Sequence, residues 1–201
     1  MTERGMIFNG EMVRAILDSR KTQTRRPVKF PFKDRNLGCE LSGNELAGEL
    51  SSGNYLNSPF GKPGDRIWVR ETFASGLCTE TTIAYRATHK REDLEEGWDE
   101  KIKWTPSIHM PRWTSRILLE ITDVRVERLS AISQANAIAE GAPPSHPSID
   151  CVSQEYGFPD FSRSWFGHTW QHIYGEGSWL ANPWVWVIEF KRIEGGDHAT
   201  N

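Results

Sequence analysis

The sequence has no apolar run near the roughly 18 residues that a membrane-spanning helix needs. Its N-terminus also lacks a charged stretch followed by a long apolar one. Neither a membrane span nor a secretory leader is therefore expected. Cysteine is sparse, and Cys39, Cys78 and Cys151 are odd in number and far apart. They form no C-x-x-C pair, which argues against a zinc ribbon or a thiol redox motif. Reduced thiols in the cytosol are the simplest account, so a cytoplasmic location is expected. Also missing are a glycine-rich phosphate loop, H-E-x-x-H, a Ser-His-Asp order and a paired-carboxylate motif. There is no internal repeat and no low-complexity tract.

What is present is an ordinary globular composition in 201 residues, with nine tryptophans. That length suits one domain with a buried core, and a single domain over residues 1–201 is expected. The tryptophans offer apolar area and flat faces for stacking. The net charge of -3 conceals an asymmetry. Of 24 basic and 27 acidic residues, eight basic and two acidic lie between Arg14 and Arg35. The remainder, 16 basic and 25 acidic, is net -9. A local anion-facing patch on an acidic body would look like this, and so would a solvated basic surface.

Along the chain, Met6-Ile7-Phe8 reads as a strand. Asn9 suits an N-cap, and Met12, Val13, Ile16 and Leu17 recur at helical spacing. The helix should stop near Asp18-Ser19, with Lys21 just beyond it. Thr22 to Arg26 is β-compatible and closed by Pro27, which suits an edge or a strand end. Residues 30–62, rich in glycine and proline, read as an irregular insertion. Pro63-Gly64-Asp65 is a turn leading into a strand from Ile67 to Thr72, and Thr82 to Arg86 is a shorter strand. Residues 89–103 are charged and read as an exposed loop.

Ser115 to Arg128 is the longest strand signal. Ile117, Leu119 and Ile121 share one parity, while Val124 and Val126 share the other. A bulge or bend at Thr122-Asp123 would turn both sets inward. Ser133 should cap a short helix holding Ala135, Ile138 and Ala139 and ended by Gly141. Residues 142–160 form a second insertion. Phe161 to Tyr174 is helical, with a stripe of Trp165, Phe166, Trp170 and Ile173. Trp184 to Phe190 is nearly all apolar, as a buried central strand is. The tail from residue 194 is expected to be flexible. Without βαβ alternation, the expected class is α+β: a small closed or nearly closed barrel of five or six strands with flanking helices.

Three segments carry a family resemblance. They are Ile16 through Lys21-Thr22-Gln23-Thr24-Arg25-Arg26, Pro63-Gly64-Asp65 before its strand, and Leu129 through Ala139-Glu140-Gly141 followed by the Trp186–Phe190 strand. In this order they resemble the ASCH domain, a PUA-like RNA-binding fold. Pro106 to Pro111 and Asn182 to Trp186 resemble the longer ASCH proteins of phages and prophages. The resemblance spans most of residues 6–193. It implies a β-barrel with a cleft and RNA or a modified nucleoside as partner. One branch of the family is an amidohydrolase of N4-acetylcytidine, and by that likeness Lys21, Thr24 and Glu140 would be catalytic. Other branches bind RNA or cleave it. The two insertions depart from the compact amidohydrolase.

Read as chemistry, a threonine hydroxyl needs a base to accept its proton. A lysine serves if burial or nearby cations lower its pKa, and Arg20, Arg25 and Arg26 supply cations. In a plain strand, however, Lys21 and Thr24 point to opposite faces, so the two meet only if the chain turns between them. Otherwise Lys21 and the arginines simply hold phosphates. Glu140 falls in the last helical turn, where the dipole disfavours negative charge. That position suits acid–base work; a plain surface glutamate is the alternative. Candidate nucleic-acid or substrate contacts are Arg20, Arg25, Arg26, Arg70 and His109. His168 and His172 are four apart on a helix, but no third ligand is evident, so no metal is expected. No cofactor is expected either. Trp68, Trp104, Trp113, Trp184 and Trp186 divide between base stacking and core.

Overall fold

The computed structural model describes residues 1–76, 82–90, 102–145 and 160–193. In chain order these form β1 (Glu3–Ile7), α1 (Gly10–Leu17), β2 (Gln23–Pro27), β3 (Phe32–Lys33), β4 (Glu40–Leu41), α2 (Gly43–Ser51), β5 (Arg66–Arg70), β6 (Phe73–Ser75), β7 (Ile83–Tyr85), β8 (Leu118–Arg128), α3 (Gln134–Ala139), α4 (Phe161–Tyr174) and β9 (Trp184–Ile193). The chain divides into two compact units. One comprises residues 1–19, 65–120 and 192–201, the other residues 20–64 and 121–191. The expected loop over 89–103, the second insertion and the tail lie largely or wholly outside the described residues.

The class is α+β as expected, but the barrel is not. Five strands form an open sheet in the order β1-β5-β8-β9-β2. Short strands that might have served as further staves pair elsewhere: β3 with β4, and β6 with β7. Pro27 at the end of β2 also offers no N–H to a further strand. In the first unit, β1 runs parallel to β5, and β5 pairs antiparallel with the start of β8. Asn9 caps α1 by accepting a bond from the Met12 amide at 2.8 Å. Val13 and Ile16 of the helix are buried, as are Ile67, Val69 and Leu119 of the strands.

In β8 the phase change falls where expected. Leu119 and Ile121 are buried, Thr122 is exposed, and burial resumes at Val124 and Val126. The second unit is built on β9 and β2, paired antiparallel with Arg25 opposite Val187 and Thr24 opposite Ile188. Partners in such a register share a face. On one face, Val185 and Val187 join Leu129, Ile132, Ala137, Phe166 and Trp170 in a core cluster. Buried Ala137 is the residue of α3 that packs there, while Ile138 is 48% exposed.

The region 30–62 differs from its sequence-based expectation, since it is not irregular. It holds the β3–β4 hairpin and α2, which starts with a full capping box: Ser42 accepts from the Glu45 amide, and Glu45 accepts from the Ser42 amide. Leu46 and Leu50 supply its buried face. On the second face of β9, Phe32 and Phe60 set their rings against Trp186, with centroids 5.9 and 6.0 Å away. Gly43 lies so close over the Trp184 ring that a Cβ there would fall 2.2 Å from it.

Candidate functional site

The segment after α1 enters the second unit in extended form. The Thr22 amide donates to the Ala139 carbonyl, and the Phe190 amide donates to the Thr22 carbonyl, both at 2.8 Å. Lys21 makes an isolated bridge with Glu140, at the C-terminal cap of α3. Two elements far apart in sequence are thereby locked by backbone bonds before any side chain contributes.

The side chains then build a charge cluster. Lys21 Nζ donates at 2.8 Å both to the Glu140 carbonyl oxygen and to its Oε2. Arg25 Nη1 donates to Glu140 Oε1 at 3.0 Å, and Arg25 Nη2 donates to Glu127 Oε1 at 2.5 Å. Two cations thus face two carboxylates. The side chains of Lys21, Arg25 and Glu140 are all within 3% of full burial. Burial pushes the Lys21 ammonium below its ordinary range; Glu140 opposes that shift, and Arg26 and Arg25 reinforce it. The guanidinium carbon of Arg25 lies 5.8 Å from the Phe166 ring centroid. Its buried Nε has no hydrogen-bond partner among the described residues.

Strand alternation sorts the remaining residues. Gln23 donates from Nε2 to the Asn136 carbonyl at 2.9 Å, so Lys21, Gln23 and Arg25 all address α3 or the ions beside it. Thr24, one residue out of phase, turns to the opposite face, where Ile188 is its partner across the pair. The structure therefore brings Lys21 to Glu140 but leaves Thr24, itself buried, on the other side of the strand. Glu140 is not a surface residue, being 5% exposed.

Arg20 donates to the Gly141 carbonyl at 3.0 Å, and Arg26 is half-buried. Arg70 and His109 belong to the first unit. Arg70 donates from Nε to the Ser107 carbonyl at 3.2 Å and from Nη2 to the Ile108 carbonyl, and it covers Trp68 at 5.3 Å. It ties down the 3-10 turn Ser107–His109, on which His109 is exposed. His168 and His172 are exposed on α4. Among the described residues no three potential ligands converge on a metal position. No described helix is long and apolar enough to cross a membrane. Trp186 is buried, whereas Trp113 is 62% exposed.

Sequence reasoning missed Glu127. Its contact with Arg25 joins β8 to β2 across the intervening β9, and nothing local to either residue encodes that reach. It also missed the bidentate pair between Arg116 and Glu71, whose oxygens accept at 2.9 and 3.0 Å.

No family model matches the chain, and no curated protein matches it. Two solved structures are similar to this chain. One is an ASCH domain from Lactobacillus crispatus JV V101, 12% identical with a TM-score of 0.38, the match covering 95% of this chain and 79% of that one. The other is a protein from Enterococcus faecalis V583 with the family description DUF984, 10% identical with a TM-score of 0.40, covering 100% of this chain and 86% of that one.

Proposed function

We propose that the chain is an ASCH-type protein that binds RNA or a modified nucleoside through the segment Arg20–Arg26. The order of its sequence motifs supports the family reading. One observation carries the location: Lys21 is buried in contact with Glu140, uniting two of the motifs in a single cluster. Taking ions out of water is costly, and proteins concentrate such arrangements at working sites. In this reading the cluster fixes the segment rigidly, and Arg20 and Arg26 at its margins meet phosphates. Residues 1–201 act as one domain in this proposal.

Amide hydrolysis of an N4-acetylcytidine-like substrate is a second reading, favoured by the lowered pKa of Lys21, which suits a general base. The alternation that turns Thr24 away from Lys21 speaks against Thr24 as its nucleophile. Both ammonium bonds to Glu140 would have to loosen before Lys21 could take a proton. Strand cleavage by the same cluster meets the same obstacle. Binding without turnover is what the geometry supports best.

The test pairs two measurements. Affinity for a short single-stranded RNA should fall with salt, with a slope of about -0.7 per neutralised phosphate. Replacing Arg20 and Arg26 by alanine should flatten that slope. In parallel, incubation with N4-acetylcytidine should release no acetate, and the RNA should stay intact. Affinity indifferent to both salt and the arginines would remove the binding reading. Acetate release that is lost in Thr24→Ala would establish the hydrolase in its place.

A further inference from the structure

A cavity of about 380 Å³ lies wholly within the unit formed by residues 1–19, 65–120 and 192–201. That volume falls in the range of small-molecule sites. Phe8, Gly10, Arg14, Glu71, Arg86 and Ala87 are among its walls. Gly10 and Ala87 approach closely, a Cβ on Gly10 lying 3.8 Å from the Ala87 Cα, so small residues keep that wall thin.

The charge of the lining is one-sided. Glu71 is its one carboxylate among the described residues, and it is 1% exposed. Both Glu71 oxygens accept from Arg116, which does not line the cavity and which stacks on Tyr85 at 4.0 Å. The negative charge of Glu71 is thus answered from outside. Among the described residues, Arg14 and Arg86 are left as uncompensated cations. Arg14 donates one N–H to the Ala87 carbonyl at 2.8 Å, a bond that anchors the guanidinium at the wall. Its other donors, and all those of the Arg86 side chain, have no partner among the described residues. Two planar guanidinium groups beside a small apolar surface match a phosphate on a compact organic body.

We propose that this cavity binds a small phosphorylated molecule of about nucleotide size, with its phosphate held by Arg14 and Arg86 and its body against Phe8 and Ala87. The site shares no residue with the Lys21 cluster and does not depend on the RNA reading.

Calorimetric titration of the full chain tests this, with cytidine 5′-monophosphate, ribose 5-phosphate, inorganic phosphate and cytidine as probes. The monophosphate should bind at least about tenfold more tightly than cytidine, the loss expected when charge-assisted bonds are absent. It should also bind more tightly than inorganic phosphate. Arg86→Ala should weaken the monophosphate by about tenfold, and Arg14→Lys, which keeps the charge but loses the fork, by a smaller factor. Arg112→Ala removes the same charge from the same unit, at a residue outside the lining and paired with Glu3 at 3.0 Å; it should leave affinity unchanged. Equal affinity for cytidine and its monophosphate would overturn the proposal. So would full affinity in Arg86→Ala, inorganic phosphate binding as tightly as the monophosphate, or no binding by any probe at millimolar concentration. The Arg86 side chain is exposed and makes no hydrogen bond or ion pair among the described residues that its loss would break, so weaker binding in Arg86→Ala reports on the cavity and not on misfolding.

Discussion

Two ionic networks meet at Glu127, one of two cations and two carboxylates and the other of one cation and three carboxylates, and they differ as much in water as in charge. On one side Glu127 Oε1 accepts from Arg25, which with Lys21 and Glu140 is within 3% of full burial. On the other side Glu127 Oε2 accepts from Arg125 at 3.3 Å, and Arg125 also holds Asp123 at 2.9 Å and Glu189 at 2.6 Å. The side chains of Arg125, Asp123 and Glu189 are 30%, 41% and 38% exposed. Distances are similar, so distance alone would rank the networks as equals. Solvent separates them. Exposed pairs give back in ordering and screening most of what they gain. Buried ions depend on each other, because each has surrendered its hydration.

The largest expected effect is therefore Glu140→Ala. It strands Lys21 and Arg25 without their shared carboxylate, and urea unfolding should show a loss of about 3–5 kcal/mol. If the loss matched that of an exposed pair, the contrast between the networks would collapse.

Next comes Lys21→Met, expected at about 1–3 kcal/mol, since Glu140 keeps Arg25 while two lysine hydrogen bonds go. This variant also reads the sign of the lysine shift. A lysine governed by its ion pair has a raised folded pKa and loses stability as pH rises through it. Lys21 is governed first by burial, which lowers its folded pKa from 10.5. Between the lowered value and 10.5 the unfolded chain binds the extra proton, so stability rises with pH there. Relative to Lys21→Met, the native protein should gain stability on alkalinisation in that window. A loss would mean that Glu140, not burial, dominates the site. The smallest effect is Arg125→Ala, expected at about 0–1 kcal/mol and further reduced by salt, because Glu127 remains held by Arg25.

The sequence made its local decisions legible. The caps at Asn9 and Ser133, the stop at Gly141 and the phase change at Thr122 each depend on a few adjacent residues, and each lies where expected. The helix in the first insertion was equally local. Ser42-x-x-Glu45 followed by Leu46 and Leu50 announces it, but the surrounding glycines masked the signal. Closure of the sheet was not legible, because it depends on which strands find which partners, a property of the whole chain. In the candidate site, the convergence of Lys21 and Glu140 followed from the motif resemblance. The side of the strand taken by Thr24 followed from alternation alone. The share of Glu127 followed from neither.

An open sheet has a consequence that a barrel escapes: two terminal strands offer unpaired backbone to any other chain in a crowded cell, the usual seed of fibrous aggregates. Here both are guarded. On β2, Pro27 removes a donor from the free edge, next to the charged Arg26. On β1, Glu3 places a charged side chain on the edge strand, paired with Arg112 at 3.0 Å, and charge on an edge strand discourages pairing with another chain. Replacing Pro27 by a β-branched residue would restore that donor and lengthen the exposed ladder, a change felt less in how firmly the protein folds than in how long it stays in solution.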